Sequence, residues 1–113
     1  MNNVVCLESI TSASDAAKLM EIKDSKAIIV IENNKTVGII TDRDYTIKIG
    51  SHSYPIDTPI HRLMSSPLIS IDSHSSVSTA IDLMNGKKIK KLTVTHNEKI
   101  TGIVYMTDLI KSD

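Results

Sequence analysis

Apolar and polar residues alternate along the first half of the chain in a way that predicts a strand followed by a helix. Residues 4–7, VVCL, form a short apolar run that is typical of a strand. A serine-rich break, SITSAS, follows, and its hydroxyls can accept hydrogen bonds from the free N–H groups at a helix start. Apolar side chains then recur at helical spacing on one face: Ala16, Leu19 and Met20.

The next segment, AIIVIENNKTVGIIT, contains two apolar runs separated by a polar turn. This pattern predicts a β-hairpin with Asn33 and Asn34 at the bend, because asparagine is favoured in tight hairpin turns. A last helix is expected to begin near Asp42. The first half is therefore predicted to fold as β-α-β-β-α.

The same arrangement occurs again 64 residues further along the chain. When residues 1–49 are placed over residues 65–113 without a gap, 14 of the 49 pairs are identical. Average composition would give about three or four identities, so the chain is predicted to be a tandem duplication. The second half accordingly predicts a strand at residues 68–71, a helix with Ala80, Leu83 and Met84, a hairpin bent at Asn97 and Glu98, and a last helix near Thr107.

The duplication predicts the fold class: α/β (mixed α+β), with two β-α-β-β-α repeats packed about a pseudo-twofold axis. Each half is too short to hold a sufficient core alone, so the halves are expected to pack face to face as one globular module. We expect the first repeat at residues 1–50, a linker at 51–58 and the second repeat at 59–113. GSHSYPIDTP, around the linker, is rich in turn formers, and IHRLM after it predicts one helical turn.

Composition narrows the class of function. The chain has 13 basic and 13 acidic residues, so it lacks the basic surplus of a duplex-binding protein. No apolar run is long enough to predict a membrane span, and MNNVVCLES lacks the features of a signal peptide. Cys6, the only cysteine, cannot form an internal disulfide, and together these features favour the cytoplasm. Phe and Trp are absent, so the core is expected to consist of Ile, Val, Leu, Met and Ala.

The segment GIITDRD, residues 38–44, places a Thr-x-x-Asp spacing where a strand meets a helix. One interpretation is a capping box, in which Thr41 is the N-cap and Asp44 satisfies a backbone N–H. The other is a ligand site, because free N–H groups at a helix start suit phosphate and a carboxylate there can accept both hydroxyls of a ribose. The segment GIVYMTD, residues 102–108, repeats the glycine and the aspartate.

These motifs, in the same order twice, resemble the cystathionine-beta-synthase (CBS) domain family over almost the full chain, as one CBS pair or Bateman module. The matching stretches are VGIITDRD and SDAAKLM in the first half, and LMSSPLISI, STAIDLM and TGIVYMTDL in the second. The resemblance implies adenosyl ligands such as AMP, ADP, ATP or S-adenosylmethionine, bound in clefts between the repeats, with no required cofactor. It also implies a regulatory role and pairing of modules into flat homodimers.

In that family each cleft draws on both repeats. The resemblance implies a main cleft formed by Ile39, Thr41, Asp44, Ser75, Ala80, Ile89 and Lys90. It implies a second cleft formed by Thr11, Ala16, Ser25, Lys26, Ile103, Tyr105 and Asp108. Tyr105 stands where the family has Thr or Ser, so we predict one competent site around Asp44 and one weak or closed site. Arg43, beside the motif, is a candidate phosphate contact.

Two other classes of function stay open on the sequence. A ligand-independent dimerisation or protein-interaction module predicts a stability that no nucleotide changes. A nucleotide hydrolase using Asp42 or Asp44 predicts ATP turnover, but no general base, nucleophile or metal set converges, so we expect no enzyme. No metal site is expected either, because the four histidines and Cys6 show no paired ligand spacing.

Overall fold

The computed structural model describes residues 5–65 and 68–110. The chain divides into two compact units, of which the first is Val4–Leu68 and the second contains Ile69–Asp113. Each unit has a three-stranded sheet with helices, in the β-α-β-β-α order that the sequence predicts. The mixed α+β class of the fold is therefore confirmed.

In the first unit, a parallel and an antiparallel pairing build the sheet. Its elements are β1 (Val5–Glu8), α1 (Ala13–Lys23), β2 (Ala27–Glu32), β3 (Lys35–Thr41), α2 (Asp42–Tyr45), a π-helix (Thr46–Ser51) and a 3-10 helix (Ile60–Arg62). β1 runs parallel to β2, and β2 antiparallel to β3, so the sheet order is β1-β2-β3. The predicted strand at residues 4–7 is confirmed from Val5 onward, and Val4 lies outside the described residues.

Local sequence signals explain where these elements begin and turn. The Ser12 hydroxyl accepts from the Asp15 N–H at 3.1 Å and so caps α1, as the serine-rich break predicts. Asn33 and Asn34 have φ angles of 53° and 63°. Two successive positive φ angles are the geometry of the tightest hairpin turns, which asparagine tolerates, so the predicted bend is confirmed.

The second unit repeats this plan. Its elements are β4 (Ser70–Asp72), α3 (Val77–Lys87), β5 (Lys91–His96), β6 (Lys99–Tyr105) and α4 (Met106–Ile110), with the sheet order β4-β5-β6. The Ser76 hydroxyl caps α3 by accepting from the Thr79 N–H at 3.1 Å. The bend at Asn97 and Glu98, with φ angles of 50° and 67°, is also confirmed.

The first strand of the second unit differs from the prediction. It was expected at residues 68–71, whereas regular pairing begins at Ser70, opposite Thr93. Ile69 precedes this register, but its carbonyl accepts from the Thr93 N–H at 3.0 Å and from the Thr93 hydroxyl at 3.2 Å. The apolar run therefore predicts correctly that a strand is present, but the hydrogen-bond register with β5 determines where it begins.

Residues 58–65, here called the strap, pack on the first unit. The Thr58 carbonyl accepts from the Ala13 N–H at 2.8 Å, which ties the strap to the start of α1. Ile60 and Leu63 are fully buried in the core of this unit. At the other end of the strap, Ser65 and Ile39 exchange two backbone hydrogen bonds of 2.9 and 3.1 Å. Residues 59–65, which the duplication assigns to the second repeat, thus contribute to the first unit.

The cores of both units are aliphatic, as the composition predicts. The larger one brings together small and branched side chains from α1, the sheet and the strap: Ala13, Ala16, Met20, Ile28, Val30, Ile40, Ile60 and Leu63. The core of the second unit centres on α3 and β5: Ala80, Met84 and Leu92. In each unit, one helix is therefore packed against the sheet.

Candidate functional site

The candidate site of the first unit lies where β3 ends and α2 begins. Asp44 Oδ2 accepts from the Thr41 N–H at 2.7 Å and from the Thr41 hydroxyl at 3.2 Å. Thr41 is buried, whereas Asp44 is partly exposed. Within the described part of the chain, the other carboxylate oxygen of Asp44 accepts no hydrogen bond. Asp44 therefore stabilises the helix start with one oxygen and presents the second to its surroundings.

The entry of β2 lies beside this helix start. The Asp42 N–H donates to the Lys26 carbonyl at 3.2 Å, and Ala27 pairs with Thr41 across the sheet. The buried Ser25 hydroxyl donates to the Ala27 carbonyl at 2.7 Å and stabilises the turn into β2. The backbones of Lys26 and Thr41 are therefore fixed side by side at one end of the sheet.

Four further candidates of the first unit have different environments. Ile39 is buried and is held by the strap through its backbone, while the Thr11 carbonyl accepts from the Ile60 N–H at 2.8 Å. Ala16 is fully buried in the core on α1. The Arg43 side chain is exposed on the short helix α2.

The second unit repeats the backbone contacts of this junction and keeps its aspartate, but the three residues before that aspartate differ. Asp108 Oδ2 accepts from the Tyr105 N–H at 3.3 Å, and the Met106 N–H donates to the Lys90 carbonyl at 2.8 Å. Tyr105 replaces Thr41, so the short hydroxyl that donates to Asp44 has no counterpart beside Asp108. The second junction therefore lacks a threonine hydroxyl three residues before its carboxylate.

The other candidates of the second unit are distributed over the loop, the helix and the sheet. Ser75 is exposed, and its N–H donates to the Asp72 carbonyl at 3.0 Å, just before α3. Ala80 is buried in the core, and Ile89 packs against that core. Ile103 is buried, and the Lys90 side chain is exposed. The two complete clefts, each of which combines residues of both repeats, stay predictions.

Sequence reasoning missed a cavity of about 430 Å³ on the first unit, here called the groove. It is lined by α1, by the end of α2, by the π-helix and by the loop before the strap: Ala13, Ser14, Ala17, Lys18, Glu21, Tyr45, Ile49 and Ile56. The Tyr45 hydroxyl donates to the Ala13 carbonyl at 2.9 Å, and burial raises the pKa of Tyr45 to about 12. The repeat contained a sequence signal for this groove. Ala13 and Ala17, which line it, are smaller than Val77 and Ile81 at the equivalent positions of the second half.

Comparison with known proteins establishes the family. The model of the CBS domain matches residues 1–50 and 60–113. The chain therefore belongs to the CBS domain family and carries two copies of the domain in tandem, as the sequence predicts. CBS domains are regulatory modules, so the chain belongs to a family of regulatory modules.

Individual relatives agree with this assignment. A protein of Methanopyrus kandleri, MK0525, is 36% identical over 103 residues, which are 89% of this chain and 53% of that protein. The CBS domain-containing protein YhcV of Bacillus subtilis is 32% identical over 95 residues, 84% of this chain and 68% of YhcV. The structure of a signal-transduction protein with CBS domains from Burkholderia ambifaria superposes with a TM-score of 0.79 at 25% identity, covering 98% of this chain and 82% of that one. This chain thus spans about half the length of the Methanopyrus relative.

None of the helices among the described residues is both long and apolar enough to span a bilayer.

Proposed function

We propose that this CBS pair is a regulatory module that senses an adenine nucleotide or another adenosyl ligand, such as AMP, ADP, ATP or S-adenosylmethionine. The Asp44 carboxylate carries the proposal, because the Thr41 bonds fix one oxygen and leave the other for a ligand. A carboxylate oxygen can accept two hydrogen bonds, which is what the two hydroxyls of a ribose supply. Charge assistance makes such bonds shorter and stronger than those between neutral groups.

The resemblance supplies the rest of the proposed main set. In it, Asp44 holds the ribose, Thr41 holds the ribose or a phosphate, and the exposed Lys90 and Arg43 provide positive charge for phosphate. Ile39 and Ile89 contact the base. The remaining members are Ser75 and Ala80.

The second set is proposed to bind weakly or to be closed. The bond from the Tyr105 N–H to Asp108 is 3.3 Å long, against 2.7 Å for the bond from the Thr41 N–H to Asp44. A phenol also extends several ångströms further from the backbone than the threonine hydroxyl that it replaces. Tyr105 therefore brings a larger side chain to this position and provides no short hydroxyl.

Sensing would proceed by population shift. A ligand that contacts both repeats favours the arrangement of the repeats in which all its contacts form, and it can shift the equilibrium only by its difference in affinity. No bond in the ligand needs to break in this mechanism. Binding of the ligand changes the population of each arrangement, and the regulated target binds or responds to the arrangement that becomes favoured.

The thermal midpoint of unfolding, measured with AMP, ADP, ATP, S-adenosylmethionine and NAD at about a millimolar, tests the proposal. A ligand present at about 100 times its dissociation constant stabilises the folded state by roughly 2.7 kcal/mol, so the midpoint should rise for one compound of the panel. A midpoint that no adenosyl compound changes would contradict the sensing function and favour the interaction module.

Replacing Asp44 by Ala tests the site itself, and Asp108→Ala is the matched control. Each change removes the bond from the carboxylate to a helix-start N–H, at a cost of about 1 kcal/mol, and Asp44→Ala should lose somewhat more stability because it also removes the bond from the Thr41 hydroxyl. The rise in midpoint caused by the ligand should disappear in Asp44→Ala and persist in Asp108→Ala. An unchanged rise in Asp44→Ala would show that the site is assigned wrongly.

The groove supports a second function, in which the chain acts as a ligand-independent dimerisation or interaction module. Ile56, which lines the groove, is 65% exposed, and Ile47 on the neighbouring π-helix is 36% exposed. We propose that a second copy of the chain covers this surface, so that the module is a homodimer in either function. A cytoplasmic location is proposed on the composition of the chain.

A further inference from the structure

Two histidines that lie 22 positions apart in the sequence are neighbours in the second unit. Parallel pairing of β4 and β5 places Asp72 opposite Thr95, so His74, just after β4, and His96, the last residue of β5, lie at the same end of the sheet. The ring centroids of His74 and His96 are 5.4 Å apart, with an angle of 44° between the ring planes. Their sequence spacing predicts no metal site, and only the strand pairing brings them together.

Each of the two rings is oriented through its Nδ1 atom. His74 Nδ1 lies 3.2 Å from Asp72 Oδ1, and His96 Nδ1 lies 3.1 Å from Ser73 Oγ. In the tautomer that suits both contacts, each Nδ1–H donates, and the lone pair of each ring is on Nε2. Within the described residues, neither Nε2 atom has a hydrogen-bond partner. An oxygen acceptor on the far nitrogen is the usual way in which proteins orient a metal-binding imidazole.

We propose that His74 and His96 together bind one divalent transition-metal ion of the zinc, nickel or copper class through their Nε2 atoms. Imidazole suits these metals, whereas Mg²⁺ and Ca²⁺ prefer oxygen ligands. Two imidazoles bound at 2.0–2.1 Å with a tetrahedral angle have ring centroids on the order of 5 Å apart, close to the separation of these rings. The side chain of His74 is 79% exposed, so water can reach the ion.

The site has two protein ligands. Among the described residues, no group of three or more His, Cys, Asp or Glu side chains is arranged to hold a metal ion, so water completes the coordination. The affinity is therefore expected to be lower than that of closed structural zinc sites, which have four protein ligands.

The first repeat provides an internal comparison. The duplication places Ile10 and Glu32 where the second repeat has His74 and His96. The Ser9 hydroxyl donates to Glu32 Oε1 at 3.0 Å, which reproduces the Ser73 contact without an imidazole. The shared fold thus positions a polar pair at this place in both repeats, and only the second repeat has the two metal-binding side chains.

Isothermal titration of the intact chain with Zn²⁺ and with Ni²⁺ near pH 7.5 tests the proposal. We expect one ion per chain, no binding of Mg²⁺, and at least a tenfold loss of affinity in His74→Gln and in His96→Gln. Both histidines are exposed, so these variants should fold normally. His61→Gln, another exposed histidine outside the pair, is the matched control and should bind like the unaltered chain.

A nuclear magnetic resonance titration identifies the ligands directly. Zn²⁺ should shift the ring C–H signals of His74 and His96 and leave those of His52 and His61 in place. The proposal is overturned if millimolar Zn²⁺ leaves the His74 and His96 signals unmoved. It is also overturned if His61→Gln loses as much affinity as His74→Gln.

Discussion

At the scale of single residues, the aspartate that recurs in both repeats has a structural role that requires no ligand. Asp44 and Asp108 each accept from the backbone N–H three residues earlier, at the start of α2 and of α4. The capping interpretation of Thr41 and Asp44 is therefore confirmed, and Asp108 makes the corresponding backbone contact in the second unit. The two junctions differ in the hydroxyl of Thr41, which is why the proposed ligand site is assigned to the first junction alone.

The recurring glycine has a steric reason in the first unit. A Cβ at Gly38 would lie 2.8 Å from the Ser65 carbonyl oxygen and 2.5 Å from Met64 Sδ, closer than real side chains approach. Gly38→Ala should therefore push the strap away and reduce the free energy of unfolding by about 1–3 kcal/mol, measured by urea denaturation.

Gly86→Ala is the control for this change. Gly86 lies within α3, and nothing is within 4 Å of where its Cβ would be. Alanine there should raise the stability by roughly 0.5–1 kcal/mol, because glycine is unfavourable inside a helix. A Gly38→Ala protein as stable as the unaltered chain would show that the strap does not need the glycine.

Tyr45 should make stability depend on alkaline pH. Burial raises the pKa of Tyr45 to about 12, above the value of about 10 expected in the unfolded chain. The folded state therefore keeps this proton to a higher pH, so the contribution is complete below pH 10 and is lost as the pH rises from about 10 through 12.

Tyr45→Phe isolates this effect from other titrating groups. At pH 8 the variant should be less stable by about 1 kcal/mol, because the hydrogen bond to the Ala13 carbonyl is lost. Urea denaturation of both proteins between pH 8 and 11.5 should show this difference shrinking above pH 10. A constant difference over that range would contradict a raised pKa for Tyr45.

At the scale of elements, local signals predict more than long-range contacts do. Neighbouring residues alone determine the helix caps at Ser12 and Ser76 and the asparagine bends, so these features can be predicted from the local sequence. The strap depends on bonds between residues far apart, such as those of Ile39 with Ser65, and no local pattern indicates it. The sequence likewise predicts a helix that begins near Asp42 but does not indicate the π-helix at Thr46–Ser51.

The same distinction explains the outcome for the candidate site. The Thr41 and Asp44 contact follows from a three-residue spacing, and the sequence therefore predicts it. The groove requires α1, α2 and the loop at Ile56 to meet, which is a tertiary event. The proximity of His74 and His96 likewise depends on the parallel register of β4 and β5, which cannot be predicted from the spacing of the two histidines in the sequence.

At the scale of the whole molecule, the groove predicts self-association. Its rim carries Lys18 and Glu21, three residues apart on α1. In a twofold dimer the same patch meets itself, so two antiparallel α1 helices would place each lysine opposite the partner's glutamate. The exposed Ile56 would be buried in the same contact, which removes apolar surface from water.

Light scattering after gel filtration at about 100 μM should therefore give twice the 12.4 kDa mass of one chain. Ile56→Lys should shift the mass to that of a monomer, because it places an unpaired charge in the apolar part of the contact. Ile22→Lys is the matched control, since Ile22 is 75% exposed on α1 and does not line the groove. A dimer that survives Ile56→Lys but not Ile22→Lys would move the interface away from the groove to the other face of α1.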